Sequence, residues 1–453
     1  MIELRFGDGT LEIRGDVPRA LMPASVRLDP RSACLRAPAD AYRAVALALH
    51  NAKIPFRDDA RRWTTTPWPQ RQAREPRPFQ TDAVAAWRAA GRRGVVVLPT
   101  GAGKSHVAVL AIEDAARPAL IVAPTLDLVR QWHQTLTTAF GVDVGVVGGG
   151  EHVVLPLTVT TYDSAWSHMR HLGSQFGLLV FDEVHHLPGE SYRSAAEMSL
   201  APFRLGLTAT PERSDGAEAS YAHLVGPIVH RAEIVEMSGV WLADYDTEHV
   251  IVDMDDDERG DYEDARAIYR AFTRAQGIRM AEPGGFARFL SLSSSSVEGR
   301  EALGAYRLQR RLALSSRAKL RALGGLLDRH VGEPAIIFTD DNATAHTIAR
   351  TFLLPVITHQ TRVSERTEIL TGLRSGRYGA VVTSRVLNEG VDVPEASVAV
   401  VVSGTGSVRE HVQRLGRVLR KGEGKRSTLY ELVSAETSET FTSERRRDHS
   451  AYR

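Results

Sequence analysis

The sequence predicts an α/β protein with two parallel-sheet domains in tandem, a small N-terminal α+β domain and a helical insertion between the lobes. Three observations carry this. Two separate series of short aliphatic runs alternate with helical stretches, the pattern of sheets covered on both faces. A glycine-rich turn leads out of one such run into a helix. A proline cluster, Pro67, Pro69, Pro76 and Pro78, sets the first sixty-odd residues apart as a linker or extended segment.

In chain order, Ile2 to Phe6 and Leu11 to Arg14 read as strands and Asp40 to Asn51 as a helix. The first main series of buried strands is Val95 to Leu98, Leu120 to Val122, Leu157 to Thr160, Leu178 to Phe181 and Leu205 to Leu207, with helices such as Ser105 to Ala116 and Asp127 to Ala139 between them. The second series is Ala335 to Phe338, Pro355 to Thr358, Ala380 to Thr383, Val398 to Val402 and Thr428 to Leu432. Between the two, Asp253 to Leu314 is charged and helical, with Tyr262 to Gln276 and Gly299 to Ala313 as its helices, and Ser291 to Ser296 reads as a flexible loop. The expected division is therefore 1–70, 71–242, 243–315, 316–436 and a basic tail, 437–453. At roughly 150 residues per domain, 453 residues allow about three full-sized domains, in line with this division.

Composition narrows the function classes. The chain is 43% hydrophobic and 25% charged, ordinary for a folded protein and unlike a disordered one. Its single cysteine, Cys34, excludes an internal disulfide and any four-cysteine zinc or iron–sulfur site within the chain. No apolar run reaches the roughly 18 residues of a membrane span, and Met1 to Arg5 lacks a signal-peptide core. We therefore expect a cytoplasmic protein with no membrane partner. Net charge is only +1, so any polyanion surface must come from local distribution. That distribution is uneven: Arg57 to Arg93 holds nine arginines against four acids, whereas Asp253 to Asp264 holds eight acids and one arginine.

The chemistry-bearing segments begin with Leu98-Pro99-Thr100-Gly101-Ala102-Gly103-Lys104-Ser105, after a strand and at the start of a helix. Gly101 and Gly103 let the chain wrap closely, so that backbone N–H groups face phosphates. Lys104 supplies a point charge for the β/γ oxygens, and Ser105 a hydroxyl ligand for Mg2+. Leu98 departs from the longer G-x-x-x-x-G-K-[ST] pattern, and the shorter Thr-Gly-x-Gly-Lys-Ser form is intact. Asp182 closes an apolar strand, at the carboxyl end where open parallel sheets bind ligands. There it suits Mg2+, and Glu183 suits polarisation of the attacking water. A zinc site from Asp182, His185 and His186 is disfavoured, because adjacent histidines face different ways and a fourth donor is lacking. Farther on, Gln413, Arg417 and Arg420 share a helix face by their spacing of four and three. Two guanidinium groups on that face would stabilise charge on a γ-phosphate.

In order, these segments resemble the motif set of a superfamily 2 helicase with two RecA-like domains. Arg77-Pro78-Phe79-Gln80 resembles the adenine-reading segment, Thr100 to Ser105 motif I, Ala123-Pro124-Thr125 motif Ia and Thr160-Thr161-Tyr162 motif Ib. Asp182-Glu183-Val184-His185 resembles motif II, Leu207-Thr208-Ala209-Thr210-Pro211 motif III and Ile336 to Asp340 motif IV. Thr383 to Pro394, with Gly390 and Asp392, resembles motif V, and Gln413 to Arg420 motif VI. The Asp-Glu-Val-His box, the Gln-Arg-Leu-Gly-Arg-Val-Leu-Arg run, and Leu28-Asp29-Pro30-Arg31, Leu35-Arg36-Ala37-Pro38 and Tyr42-Arg43 are similar to the XPB branch of archaea and bacteria, including its small N-terminal damage-recognition domain. The segment after motif III, Pro211-Glu212-Arg213-Ser214-Asp215, departs from that branch's Arg-Glu-Asp element.

The resemblance implies ATP and Mg2+ as cofactors and ATP-driven 3′→5′ translocation on DNA. It implies opening of single-strand-containing or forked duplex, in repair such as nucleotide excision repair. It assigns adenine or phosphate contact to Arg77, Gln80, Pro99 to Ser105, Gly390 and Asp392, and nucleic-acid contact to Pro124, Thr125, Thr161 and Thr383. His185, Thr208 and Thr210 would relay between the two sites. A nuclease or repair-complex partner, a monomeric state and association with the nucleoid are further expectations. Three alternatives stay open: a motor subunit of a restriction or defence system, an RNA helicase, and an ATP switch that melts DNA locally.

Overall fold

The computed structural model describes residues 1–211, 219–237, 244–280, 282, 284–384, 396–404, 426–440 and 443. The chain divides into two compact units, Met1–Glu236 and Met237–Arg453.

The first unit opens with a five-stranded sheet. Its strands are β1 (Ile2–Gly7), β2 (Thr10–Arg14), β3 (Arg27–Asp29), β4 (Cys34–Pro38) and β5 (Phe56–Asp58), in the order β3-β4-β2-β1-β5. Asp8 and Gly9 both have positive φ, 45° and 78°, which suits the two-residue turn that joins β1 to β2 without splaying them. Alternation along the hairpin buries Ile2, Leu4, Leu11 and Ile13 on one face. Helix α1 (Tyr42–Asn51) covers that face with Tyr42, Val45 and Leu49, spaced three and four apart. The sequence showed only two of the five strands: β3 and β5 are three residues long, β3 is polar or exposed along its length, and β4, Cys34–Pro38, carries an arginine and ends in a proline.

The proline-rich stretch after β5 is extended, as expected, but it is not a free tether. Trp63 and Trp68 are buried. The Thr66 and Arg71 N–H groups donate to the carbonyls of Ala116 (2.8 Å) and Ala139 (2.7 Å), and the Trp68 indole donates to the Arg117 carbonyl at 2.8 Å. Prolines hold this strap extended while the tryptophans anchor it.

The strap leads into α2 (Pro78–Ala89), β6 (Arg93–Val97), α3 (Lys104–Ala115), β7 (Ala119–Ala123), α4 (Leu126–Phe140), β8 (Gly145–Gly148), β9 (Glu151–Val153), β10 (Leu157–Thr161), α5 (Tyr162–Leu172), β11 (Leu178–Asp182), α6 (Glu190–Glu197), β12 (Phe203–Thr208), α7 (Ala219–Leu224), β13 (Ile228–Arg231) and α8 (Ile234–Met237). The sheet order is β13-β6-β12-β11-β7-β10-β8-β9, parallel except for the β8–β9 pair. Val95, Leu120, Val122, Leu179 and Phe181 fill its core with residues of α5 and α6. Two features of this order place the site. β6, β12 and β11 are neighbours, and each ends at the same edge, so the turn after β6 and the termini of β11 and β12 meet there.

The second unit contains β14 (Asp244–Val252), α9 (Asp256–Ala275), α10 (Gly285–Ser294), α11 (Val297–Ser315), α12 (Arg317–Arg329), β15 (Ala335–Phe338), α13 (Asn342–Phe352), β16 (Val356–Ile357), α14 (Val363–Arg374), β17 (Ala380–Thr383), β18 (Val398–Val401) and β19 (Arg426–Ser434). Its parallel sheet runs β14-β19-β18-β15-β17-β16. The helical insertion packs Tyr269, Phe272, Phe289 and Tyr306 together. One expectation changes here. Ser291 to Ser294 are helical rather than a loop, since Ser293 and Ser294 turn their hydroxyls back onto the carbonyls of Phe289 and Ser291, and Ser296 caps α11 by accepting the Gly299 N–H at 2.8 Å. The acidic run, whose role the sequence left open, is partly spent inside the unit: Asp255 pairs with Arg321, and Arg317 with Asp257 and Glu258. Among the described residues, no helix is long and apolar enough to cross a membrane.

Candidate nucleotide site

The site grows from the turn between β6 and α3. Gly101 and Gly103 take φ of +86° and +87°, a region closed to most side chains. A Cβ at Gly103 would lie 2.6 Å from the Gln80 amide nitrogen, so the residue is glycine for space as well as for φ. Gln80, 2% exposed, clamps the loop: its Nε2 donates to the carbonyls of Ala102 (3.0 Å) and Gly103 (3.3 Å), and its Oε1 accepts the Arg77 N–H at 3.0 Å. The segment upstream therefore shapes the phosphate loop directly.

Lys104 and Glu183 face each other. The ammonium is 3.8 Å from Glu183 Oε1 and 3.5 Å from the Leu98 carbonyl, and both side chains are only slightly exposed. Asp182 sits deeper, 6% exposed. Its Oδ2 accepts the Trp132 indole N–H at 2.8 Å, its Oδ1 accepts the Glu183 N–H at 3.1 Å, and its carbonyl accepts the Tyr162 hydroxyl at 2.9 Å. Burial, together with the charge of Glu183, pushes the Asp182 carboxyl up to about 6. The Trp132 hydrogen bond and the Lys104 charge work against that rise.

Glu183 has φ +46°, the left-handed region, with no glycine's freedom. The chain bends there, so that Asp182 and Glu183 leave the strand in different directions. The next residue along this cluster is Thr208, at the end of β12. Its Oγ1 lies 3.1 Å from His185 Nδ1, accepts the Thr210 N–H at 3.1 Å, and is 3.4 Å from Glu183 Oε2. His185 is fully buried. The structure thus brings together Lys104, Asp182, Glu183, His185, Thr208 and Thr210. Thr100 Oγ1 and Thr210 Oγ1 are buried without a hydrogen-bond partner among the described residues. An orphaned hydroxyl in the glycine loop and a second just past β12, together with a lysine and two carboxylates, fit a triphosphate with a hard cation.

The threonines read as nucleic-acid contacts are occupied locally. Thr125 Oγ1 caps α4 by accepting the Leu128 N–H (3.3 Å), Thr161 Oγ1 caps α5 by accepting the Ser164 N–H (3.1 Å), and the Thr383 hydroxyl donates to the Ser384 carbonyl (2.8 Å). Pro124 and Thr125 are half-buried. Gly390, Asp392, Gln413, Arg417 and Arg420, and the Arg213-Ser214-Asp215 segment, lie outside the described residues. Sequence reasoning missed Trp132, and it named Tyr162 in the motif Ib segment without its contact to the Asp182 carbonyl. Trp132 lies on a regular apolar face with Val129, Leu136 and Phe140, which signals burial but not an indole aimed at a carboxylate.

Comparison with known proteins agrees with this layout. Residues 4–60 match the xeroderma pigmentosum group B helicase damage recognition domain, residues 73–213 the res subunit of type III restriction enzymes, and residues 304–450 the ERCC3/RAD25/XPB C-terminal helicase. The chain is 42% identical over 374 residues to the DNA 3′-5′ translocase XPB2 of Sulfurisphaera tokodaii, covering 83% of this chain and 85% of that one. It is 32% identical over 379 residues to the DNA 3′-5′ helicase XPB of Kineococcus radiotolerans, covering 80% of this chain and spanning 60% of that longer relative. Among solved structures, the Pyrococcus furiosus Hef helicase domain aligns over 82% of this chain and 97% of its own with a TM-score of 0.57 at 19% identity, which is a likeness of fold. With a phosphate loop, an Asp-Glu strand end and a threonine at the end of β12 converging on one sheet edge, and with sequence kinship over most of its length, the chain belongs to the XPB family of superfamily 2 helicases.

Proposed function

We propose that this chain hydrolyses ATP to drive 3′→5′ movement along DNA, opening forked or tailed duplex in DNA repair, with nucleotide excision repair as the setting. The observation that carries the reading is the Lys104–Glu183 pair, 3.8 Å apart at the edge where β6, β11 and β12 end. Lys104 holds the β/γ oxygens, and the N–H groups from Pro99 to Ser105 wrap the phosphates, with Thr100 meeting a phosphate oxygen or its water. Arg77 and Gln80 frame the adenine side, where Gln80 acts by holding the loop. Ser105 and Asp182 are the residues that would hold Mg2+, which when bound neutralises charge developing on the phosphates. Glu183, freed from the strand direction by its left-handed backbone, orients and polarises the attacking water. Gly390, Asp392, Gln413, Arg417 and Arg420 complete the site from the second lobe.

The Glu183–Thr208–His185 chain gives nucleotide state a route to the segment after β12, so Thr208, Thr210 and His185 are the coupling residues. Pro124, Thr125, Thr161 and Thr383 lie at the strand ends where nucleic acid would cross. The capped starts of α4 and α5, with their N–H groups, grip phosphate without reading sequence. We also propose the five-part division at residues 70, 242, 315 and 436, a monomer working in the cytoplasm at the nucleoid, and a nuclease or repair complex as partner.

The test is ATP turnover with single-stranded DNA, forked duplex and single-stranded RNA, beside strand displacement on 3′-tailed and 5′-tailed duplexes. DNA should stimulate turnover well above RNA, and the 3′-tailed duplex should open preferentially. Lys104→Ala should lower stimulated turnover about 100-fold or more, the scale of losing one preorganised charge partner. Equal stimulation by RNA, or preference for the 5′ tail, would overturn the reading.

A further inference from the structure

The N-terminal sheet has an opening that the ATP site does not use. Its apolar face outruns its cover at the β3–β4 end. There a cavity of about 360 Å³ lies among Met22, Val26, Leu28 and Leu35, with Arg19 and Arg27 also lining it. Leu35 is buried in the core of this sheet, whereas Leu28, directly opposite it in the register, is 54% exposed. β3 is the last strand of its sheet. Its Arg27 and Leu28 backbone groups take part in none of the described turn or loop hydrogen bonds. An apolar cavity therefore borders a sheet edge that has no strand beside it.

The same edge is basic. Arg27 stands directly opposite Arg36, and like charges so placed oppose strand pairing. Arg36 is answered by Glu12 at 2.6 Å and Asp29 at 3.4 Å. Among the described residues, Arg19 and Arg27 have no ion pair. Edge strands are commonly kept short to prevent unwanted pairing. Three residues give little room for sheet growth, but they suffice to register one short segment.

We propose that β3 and its cavity dock an extended, acidic peptide segment of a partner protein, which adds to the sheet as a strand beside β3. The pleat sets the pattern that fits. The peptide residue opposite Leu28 shares its face and puts a large apolar side chain into the cavity. The neighbouring residue, opposite Arg27, falls on the other face and is Asp or Glu. Arg19 answers a further carboxylate. Nucleic acid suits the place less well: none of the described residues lining the cavity is aromatic, so bases find no stacking platform there. An open strand edge, in contrast, offers a peptide backbone its own hydrogen-bond partners.

The experiment uses the full chain, its variants Leu28→Asp and Arg27→Glu, and a phage-displayed library of random peptides of about 12 residues. Selection on the parent chain should enrich peptides in which Asp or Glu alternates with large apolar residues. The enriched peptide, synthesised with a fluorophore, should bind each variant about tenfold or more weakly than the parent. Both positions are exposed, so the variants should keep the parent's unfolding midpoint and DNA-stimulated ATP turnover. N-methyl groups walked along the peptide should abolish binding at every second residue across the segment that pairs with β3, the mark of strand addition. Absence of enrichment, an affinity that both variants leave unchanged, or N-methyl groups tolerated throughout would overturn the proposal. Loss of forked-DNA affinity in both variants, with no peptide bound, would overturn it in favour of a nucleic-acid contact. Dimerisation of the parent in sedimentation, abolished by Leu28→Asp, would overturn it in favour of a second copy of this chain.

Discussion

Asp182 shows how a single hydrogen bond can set a working pH range. Its carboxyl is pushed up to about 6 mainly by burial, while the Trp132 indole pulls the other way by bonding to the charged form. The ionised form is the one that can ligate a cation, so function should fade as pH falls through that region. Removing the indole donor raises the pKa further. Trp132→Phe should therefore move the acid limb of the ATPase pH profile toward neutrality at limiting Mg2+, and high Mg2+ should push it back, because a bound cation favours the carboxylate. An acid limb that stays put in Trp132→Phe would show that another group controls it. Glu183 offers a second case. A non-glycine residue at φ +46° carries strain of about 1–3 kcal/mol, and its side-chain contacts are long, 3.4 to 3.8 Å. Glu183→Gly relieves that strain while losing little packing. Thermal stability should hold within about 1 kcal/mol while turnover falls by about 100-fold or more. A large stability loss would mean that Glu183 serves the fold rather than the reaction.

At the scale of elements, the strands and helices that hold the site were legible because each rule that reads them is local. Val95 to Leu98 and Leu178 to Phe181 are aliphatic runs buried on both faces, and Gly101 and Gly103 punctuate the turn. What was hidden depends on contacts between segments far apart in the chain. Arg204 is an example. It lies inside β12, where the pattern asks for an aliphatic residue, yet it is fully buried. Its guanidinium donates to the carbonyls of Ala196 (2.9 Å), Ser199 (3.0 Å), Ala201 (3.3 Å) and Leu224 (2.5 Å), closing the C-terminal ends of α6 and α7. Burial pulls its pKa down to about 9, still high enough to keep the cation at neutral pH. Nothing in the sequence around position 204 announces that role, because the partners are backbone oxygens, which every residue has. Arg204→Met fills similar space, leaves the Ser199 and Ala201 carbonyls without their donor, and leaves those of Ala196 and Leu224 to their weaker contacts with nearby backbone N–H groups and Arg93. At about 1–3 kcal/mol for each buried unsatisfied group, partly relieved by relaxation, the unfolding free energy should drop by about 3 kcal/mol or more. A midpoint within experimental error of the parent would mean that the carbonyls find other donors.

For the whole first unit, the question is whether the N-terminal sheet and the helicase lobe behave as separate bodies. The proline cluster near residue 70 reads as a boundary, and in composition it is one. Packing makes that boundary a seam rather than a tether. Leu200, from the stretch after α6, is buried in the same core as Leu4, Leu11, Val45 and Trp63. Arg43 donates to the carbonyls of Gly91 (2.9 Å) and Pro202 (3.2 Å), and the Arg62 N–H donates to the Ser174 carbonyl at 2.8 Å. A Cβ placed on Gly9 would come within 2.6 Å of Met198. The N-terminal sheet is thus seated on the segment that leads from the Asp-Glu turn to β12. Backbone hydrogen bonds at Arg62, Thr66 and Arg71 bind the strap on the way. A protease must open several residues of backbone to cut, and here opening would break buried tryptophan packing too. Brief native-state digestion with trypsin should therefore spare Arg61, Arg62 and Arg71, although their side chains reach solvent, and the first fragments should keep residues 1–71 joined to the lobe. Early cleavage within 61–71 that releases an intact N-terminal fragment would show a tethered module, whereas a protected strap makes the small sheet a fixed extension of the lobe that binds the phosphates.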